Sequence, residues 1–306
     1  MSNITKIAMI GTGAVGSTAA YTLLLRDRMD ELVLIDANHQ KAVGDALDMN
    51  HGMPFLGRAR VWAGTYEDCK DADLIIITAG AAQKIGETRL DLLKRNASIF
   101  ENIIGEVIKY NQDGIFLIAT NPVDIMSAVT LKISGFPSSR VIGTGTLLDS
   151  ARFRYLIGKE LDLDPRSIHA HIIGEHGDTE LPVWSIANVA GTTLTLDEPV
   201  KADIFDHTKN AAYEIIQAKG ATFYAIALAI DRIVAAILRN EGSVLNVSTL
   251  LENYHGESGV YLGVPCVVDR TGVRNVLPIS MSDDEKRLFQ ASAAKIRETI
   301  ISLNLH

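Results

Sequence analysis

Residues 6–16 read KIAMIGTGAVG, a short apolar run that leads directly into three glycines with GxGxxG spacing. A strand that enters such a loop and a helix that leaves it can bind the pyrophosphate of a dinucleotide. Gly11 permits the tight turn, Gly13 lets a phosphate approach the backbone, and Gly16 allows close packing of helix and strand. The helix N-terminus adds positive potential. The stretch therefore predicts a dinucleotide-binding βαβ unit.

An aspartate closes the second predicted strand, 20 residues after Gly16. The carboxylate of Asp36 can accept hydrogen bonds from ribose hydroxyls and would repel a 2′-phosphate. A glycine-rich turn and a helix-capping aspartate without a ligand would be the alternative. Because both features stand in the register that dinucleotide binding requires, we expect NAD rather than NADP as cofactor.

Strand-like and helix-like segments alternate through the first half of the chain. Apolar runs predict buried strands at 6–10, 32–35, 61–63, 74–78, 115–119 and 141–143. Amphipathic patterns predict helices at 13–26, 39–50, 96–110 and 122–134. This alternation is typical of an α/β protein with a doubly wound parallel sheet, the Rossmann fold.

The alternation stops after Gly143. The second half predicts a helix at 147–160, strands near 169–173 and 184–189, helical patterns over 204–238 with a break near Gly220, strands near 243–251 and 260–269, and a helix from Ser282. We therefore predict a dinucleotide-binding domain at 1–143 and a tightly packed α+β substrate-binding domain at 144–306.

The composition excludes several classes of function. With 29 Lys and Arg against 37 Asp and Glu, the net charge is −8, which leaves no basic surplus for nucleic acid or anionic lipid. Cys69 and Cys266 stand alone without metal-ligand spacing, so we expect buried apolar cysteines and no metal site. We find neither a signal peptide nor an apolar run of the ~20 residues that cross a bilayer. A cytoplasmic protein is expected.

Polar residues follow several predicted strands at their carboxyl ends, where open α/β sheets bind ligands. They are Thr78, Gln83, Arg89, Asn121, Asp149 and Arg152, and the loop that holds Gln83 and Arg89 also contains Gly80 and Gly86. Asp149 and Arg152 lie three residues apart and share one face of a predicted helix.

These motifs resemble those of the L-lactate/malate dehydrogenase family, most of all its bacterial lactate dehydrogenase branch. The resemblance spans nearly the whole chain and rests on GTGAVG at 11–16, Asp36, QKIGETR at 83–89, NPVD at 121–124, LDSAR at 148–152 and GEHGD at 174–178. The chain departs from the family at Ile85, where a proline is common, and in segment 190–206, which is shorter than expected. The resemblance implies hydride transfer between NAD and C2 of pyruvate or lactate, as in fermentation and glycolysis.

The resemblance also implies a role for four polar side chains. His176 would give a proton to the keto oxygen and take it back in the reverse reaction. Asp149 would orient the imidazole and stabilise its cation. Arg152 would hold the substrate carboxylate through two hydrogen bonds, and Arg89 would close over the substrate and polarise its carbonyl.

Further contacts follow from the same resemblance. Asn121 would bond the carbonyl or the nicotinamide, with a cis bond to Pro122 as a candidate, and Thr222 would line the pocket beside C3. The expected cofactor contacts are Gly11, Gly13, Val15, Gly16, Asp36, Lys41, Tyr66, Gly80, Ala81, Asn102, Ala119, Asn121 and Thr144.

Substrate choice is expected to depend on Gln83. A neutral side chain there would leave the second carboxylate of oxaloacetate unpaired in a closed pocket, which favours pyruvate. A malate dehydrogenase, a broader L-2-hydroxy acid dehydrogenase and a non-catalytic dinucleotide-binding protein stay open as alternatives.

Arg154 lies two residues beyond Arg152, about 200° around the helix, and cannot serve the same pocket. The resemblance implies that Arg154 and His169 bind the phosphates of fructose 1,6-bisphosphate across a subunit interface of an allosteric homotetramer. The alternative is a solvated helix arginine and an ordinary strand histidine.

Overall fold

The computed structural model describes residues 4–81, 86 and 88–303, and one large sheet organises these residues. Its strands and those of two small sheets are β1 (Lys6–Ile10), β2 (Glu31–Ile35), β3 (Arg60–Ala63), β4 (Leu74–Ile77), β5 (Ile115–Ile118), β6 (Val141–Gly143), β7 (Ile168–His169), β8 (Ile172–Ile173), β9 (Leu181–Pro182), β10 (Asn188–Val189), β11 (Thr192–Thr193), β12 (Ser243–Leu250), β13 (Tyr261–Asp269) and β14 (Gly272–Val276). The helices are α1 (Ala14–Leu25), α2 (His39–Gly52), α3 (Arg89–Val107), α4 (Val123–Ser134), α5 (Leu147–Leu161), α6 (Glu198–Lys219), α7 (Tyr224–Leu238) and α8 (Asp283–Ser302).

The first six strands pair in parallel in the order β3-β2-β1-β4-β5-β6, which confirms the predicted Rossmann fold. Strand β4 is Leu-Ile-Ile-Ile and is buried along its whole length, as expected for a strand covered by helices on both faces. From β1 the chain continues to β2 and β3 on one side of β1, and then returns to form β4 on the other side of β1. The loops after β1 and β4 therefore diverge and open a crevice at the carboxyl ends of the strands.

The sheet continues beyond the parallel strands. Strand β12 pairs antiparallel with β6 where Ser248 lies opposite Gly143, and the β12-β13-β14 meander extends the sheet to nine strands within the described residues. A second, smaller core forms outside this sheet around Phe153, Ile157 and Ile168.

One ion pair joins the two halves of the chain. The Arg28 guanidinium follows α1, and its Nη2 donates to Asp231 Oδ2 of α7 at 2.9 Å. Both side chains are largely buried, at 11% and 9% exposure. Helix α1 packs against α7 around this pair, in agreement with the expected tight packing of the halves.

Several predicted elements were wrong in extent. Helix α3 begins at Arg89 rather than residue 96, because Thr88 caps it: the Thr88 hydroxyl accepts from Asp91 N at 3.1 Å and Asp91 accepts in return from Thr88 N. Segment 169–173 forms β7 and β8 in separate small sheets, and Trp184–Ile186 is a 3-10 turn rather than a strand. Strand β14 was not predicted.

The predictions for the break between α6 and α7 and for the two cysteines were confirmed. The break between α6 and α7 falls at Gly220, whose φ of 85° ends α6 in the left-handed region. Cys69 and Cys266 are buried and unpaired with each other. Among the described residues, no helix is long and apolar enough to cross a membrane.

Candidate active site

The glycine loop between β1 and α1 has the shape of a phosphate cradle. Gly11 has a φ of 95°, and a Cβ there would lie 2.5 Å from Ala79 N. A Cβ on Gly16 would overlap the carbonyl oxygen of Gly11. At Gly13, by contrast, a Cβ would have no described atom within 4 Å. Gly11 and Gly16 are therefore required for packing, whereas the space at Gly13 is open to a ligand.

The carboxylate of Asp36 is held beside this loop. Its Oδ2 accepts from Thr12 N at 2.7 Å, and its Oδ1 accepts from Asn38 N at 2.8 Å. The side chain remains partly exposed, so it can also receive ribose hydroxyls. The loop and the carboxylate together fit the phosphates and the adenosine ribose of NAD.

The remaining predicted cofactor contacts occupy two kinds of position. Gly80, Ala81, Ala119, Asn121 and Thr144 follow β4, β5 and β6 at the same edge of the sheet as the glycine loop.

The others lie on helices or turns. Val15 is on α1, and Tyr66 begins a 3-10 turn where burial raises the pKa of its hydroxyl. The Lys41 ammonium pairs with Asp45 at 2.6 Å, and the Asn102 amide donates to Ser98 O at 2.9 Å.

A buried asparagine that sequence reasoning missed connects two of the loops. Asn96 Oδ1 accepts from Ala81 N at 2.9 Å, and its Nδ2 donates to Asn121 O at 3.4 Å. Asn121 precedes Pro122 through a cis peptide, as the sequence suggested. The only available signal was a polar residue on the buried face of α3.

Three side chains predicted to carry the chemistry meet at the carboxyl edge. His176 Nδ1 lies 2.6 Å from Asp149 Oδ2, and Arg152 Nη1 donates to Asp149 Oδ1 at 2.9 Å. Asp149 is 2% exposed, whereas the His176 side chain keeps 23% of its surface exposed. A buried carboxylate thus supports an imidazole that still reaches a ligand.

The electrostatics of this pair follow from their contacts. Burial alone would lower the pKa of His176, but the Asp149 charge and hydrogen bond outweigh it and raise this pKa to about 9. Burial opposes ionisation of Asp149, yet the charges of His176 and Arg152 hold its pKa below the usual range. At neutral pH the pair is therefore an imidazolium beside a carboxylate.

The turn that carries His176 is fixed from two sides. Asp124 Oδ2 accepts from His176 N at 2.8 Å, while its Oδ1 accepts from Ser248 Oγ of β12 at 2.5 Å. On the other side, Ser292 Oγ of α8 accepts from Glu175 N at 2.8 Å and lies 2.9 Å from Thr179 Oγ1. Sequence reasoning gave neither Asp124 nor Ser292 a role.

Helix α5 is itself tied to the strand that enters this turn. Thr146 Oγ1 donates to Ile172 O at 2.7 Å, and Ile172 N donates to Ser150 Oγ at 3.0 Å. These bonds set the distance between Asp149, on α5, and His176, which lies beyond β8. The geometry can hold an acid-base histidine beside an arginine that recognises a carboxylate.

Two family models match consecutive parts of the chain. One is described as the lactate/malate dehydrogenase NAD binding domain and matches residues 5–143, and the other is the alpha/beta C-terminal domain of the same family, at residues 146–303. The chain belongs to the lactate/malate dehydrogenase family. This confirms the resemblance, the NAD cofactor and the class of NAD-dependent oxidoreductase.

Known members of the family match over almost their full length. An L-lactate dehydrogenase of Acetivibrio thermocellus is 50% identical and covers 99% of this chain and 98% of its own length. One of Halalkalibacterium halodurans is 52% identical, with 96% of each chain covered. A solved structure of a minor L-lactate dehydrogenase from Enterococcus mundtii, in a ligand-bound form, superimposes with a TM-score of 0.97 at 45% identity and 99% coverage of both chains.

Some residues expected from the dehydrogenase family are only partly described. Gln83 and Ile85 lie outside the described residues, and Arg89 is described only as the first residue of α3. Thr222 lies in the short connection between α6 and α7, partly buried.

The two predicted allosteric residues lie in one region. Arg154 is partly buried on α5, where burial lowers its pKa, and its Nε donates to Ser150 O at 3.2 Å. His169 is exposed on β7. His171 accompanies them: burial lowers its pKa, and the charges of Arg154 and His169 lower it further.

The open space at Gly13 leads to a prediction. Gly13→Ala should leave the thermal unfolding midpoint close to that of the wild type, yet weaken NADH binding about tenfold or more, because the new methyl group takes the space of a phosphate. Fluorescence titration with NADH and thermal denaturation would measure both. Gly16→Ala is the matched control and should instead destabilise the fold. Normal NADH affinity in Gly13→Ala would show that the phosphates bind elsewhere.

Proposed function

We propose that this chain is an L-lactate dehydrogenase that interconverts pyruvate and L-lactate with NAD(H). The contact between His176 and Asp149, beside Arg152, carries the proposal. It places a proton donor, His176, next to an arginine that can bind the substrate carboxylate. The roughly 50% identity to proteins named L-lactate dehydrogenase supports lactate rather than malate.

Bound NADH supplies the hydride that reduces C2 of pyruvate. His176, protonated at neutral pH, gives its proton to the ketone oxygen, and Asp149 stabilises the imidazolium before transfer. Arg152 uses Nη1 for Asp149. Its remaining guanidinium hydrogens are available to form two parallel hydrogen bonds with the substrate carboxylate, which a lysine ammonium cannot do.

Four further residues complete the proposed site. Arg89 closes over the substrate and stabilises the charge that develops on its oxygen, and Asn121 bonds the same carbonyl or the nicotinamide. Gln83 and Thr222 line the side of the pocket that faces C3. Because Gln83 is neutral, a second substrate carboxylate would be buried there without a partner, at a cost of several kcal/mol.

We further propose a cytoplasmic homotetramer that reduces pyruvate in fermentation, with the domain boundary near Gly143. Large apolar side chains on α1, α2, α6 and α7 support an oligomer, since a monomer would leave them in water. They are Tyr21, Leu25, Leu47, Tyr213, Ile216, Tyr224 and Leu228, each at least 46% exposed.

Fructose 1,6-bisphosphate is the proposed effector. Arg154 has no carboxylate partner among the described residues, and the charges of Arg154 and of His169 both act on the buried imidazole of His171. In a symmetric oligomer two copies of such a group can converge near an axis and attract phosphates. A bisphosphate would relieve their mutual repulsion and favour the assembled, active state.

The first test concerns the proton donor. Pyruvate reduction should decline as pH rises through about 9 and lactate oxidation should rise over the same range, because reduction needs protonated His176 and oxidation needs the neutral ring. His176→Asn should lower kcat about a thousandfold with little change in NADH affinity. Absorbance of NADH follows both reactions, and His39→Asn, an exposed histidine on α2, is the control. Near-normal turnover in His176→Asn would assign the proton to another group.

Gln83 gives a test of substrate choice. The wild type should prefer pyruvate to oxaloacetate in kcat/KM, and Gln83→Arg should shift this ratio toward oxaloacetate about a hundredfold or more by pairing the second carboxylate. Gln112→Arg adds the same charge at an exposed position and should leave the ratio unchanged. A Gln83→Arg enzyme that loses pyruvate activity without gaining oxaloacetate activity would contradict selection by charge. Wild-type preference for oxaloacetate would instead support a malate dehydrogenase.

The effector is tested by pyruvate saturation with and without millimolar fructose 1,6-bisphosphate at pH 5.5 and 7.5, together with sedimentation. We expect the effector to lower the apparent KM and to favour the tetramer, more strongly at pH 5.5 than at pH 7.5. Arg154→Gln should abolish the response, whereas Arg166→Gln, at an exposed arginine paired with Asp164, should keep it. Superimposable curves in the wild type would leave Arg154 and His169 with structural roles only.

A further inference from the structure

Glu180 has no part in the proposed mechanism, although it lies beside the catalytic pair. The residue is 7% exposed, and its Oε1 has no hydrogen-bond partner among the described residues. One carboxylate oxygen of Glu180 and of Asp149 and one ring nitrogen of His176 all lie within 4.8 Å of one another. A buried carboxyl without a donor favours its neutral form, because an ionised one would lose its hydration without compensation.

The charges around Glu180 point the same way. Burial and the Asp149 charge raise the pKa of Glu180 to about 8, although His176, Arg152 and Lys209 favour its ionised form. Lys209 lies on α6 and donates to Asp178 O at 2.7 Å, so its ammonium is engaged beside the same turn. A bound substrate carboxylate would add a second negative charge close to that of Asp149. An ionised Glu180 would add a third, whereas a proton on Glu180 offsets the charge that the substrate brings.

We propose that Glu180 is a proton-holding residue of this active site, whose carboxyl group is neutral whenever a substrate carboxylate is bound. The inference rests on the function proposed above. Pyruvate binding then takes up a proton at any pH where Glu180 is ionised in the free enzyme. The proton on Glu180 thereby offsets the negative charge of the bound carboxylate, and it is separate from the proton that His176 transfers.

A metal ion is a weaker explanation for the same cluster. Asp149 already accepts from Arg152 and contacts His176, so a cation would have to displace or approach a guanidinium. A proton on Glu180 requires no such rearrangement. It also satisfies the oxygen that lacks a donor, since the neutral carboxyl carries its own hydrogen.

The test compares wild type, Glu180→Gln and Glu160→Gln, the last at an exposed glutamate on α5. For the wild type and Glu160→Gln, we expect kcat/KM for pyruvate to begin falling near pH 8. Above the pKa values of both Glu180 and His176, the decline should steepen to about a hundredfold per pH unit. Glu180→Gln should fall only about tenfold per unit, because His176 alone remains. Equal slopes in wild type and Glu180→Gln would overturn the proposal.

A second measurement counts the proton directly. Oxamate, a pyruvate analogue, is titrated into the enzyme with NADH at pH 9, and the heat is measured in two buffers of different ionisation enthalpy. The wild type should take up about one proton more than Glu180→Gln on binding oxamate. An equal count would contradict the inference even where the activities agree with it.

The pH dependence of folding stability tests the inference independently of catalysis. Because the pKa of Glu180 is about 8 in the folded protein and its ordinary value is 4.5, the wild type should lose stability relative to Glu180→Gln as pH rises from 5 to 8. Glu160→Gln should show no such trend against the wild type. A wild type that fails to reduce pyruvate would overturn the proposed function, whereas a flat stability difference would overturn the role of Glu180.

Discussion

The buried carboxylate of Asp149 is the constraint on which the rest of the site depends. A carboxylate at 2% exposure is tolerated only where cations and hydrogen bonds replace its water, and here His176 and Arg152 do so from opposite oxygens. Each partner is thereby fixed in one orientation and one charge state. The residue that we propose to bind the substrate carboxylate and the residue that we propose to exchange the proton are therefore positioned by one and the same group.

This arrangement needs a fold that brings distant parts of the chain to one edge. The turn around His176 is held by Asp124, which is 52 residues earlier, and through Glu175 by Ser292, which is 117 residues later. The carboxyl ends of the parallel strands supply Asp124 and the glycine loop, while β12 and α8 supply the opposing side. The active site thus forms where the parallel strands meet the antiparallel extension, and the cofactor loop lies on the same edge.

The sequence was sufficient wherever a local pattern determined a local structure. Strand β1 and the glycine loop follow directly from 6–16, since steric demands at Gly11 and Gly16 leave no other residue type. The start of α3 was wrong by seven residues, because a capping box at Thr88 outweighed the weak helical pattern before residue 96. Strand β14 is short and mostly exposed at its far end, so it carries little alternation. Asn96, Glu180 and Ser292 could not be assigned, because single polar residues acquire meaning only from partners far along the chain.

Three buried carboxyl groups near His176 show that burial by itself does not decide their charge. Asp149, Asp124 and Glu180 are all less than 9% exposed, yet the pKa of Asp149 lies below its usual value, that of Asp124 is raised to about 6 and that of Glu180 to about 8. The order follows their partners: two cations for Asp149, a hydroxyl and a backbone N–H for Asp124, and no donor to Oε1 for Glu180. Since desolvation acts on all three, the cations and hydrogen-bond donors that each group contacts determine whether it remains ionised. The same low-dielectric surroundings that strengthen the Asp149–His176 pair therefore favour a proton on Glu180, and a site of this kind can accept an anionic substrate while its total charge changes little.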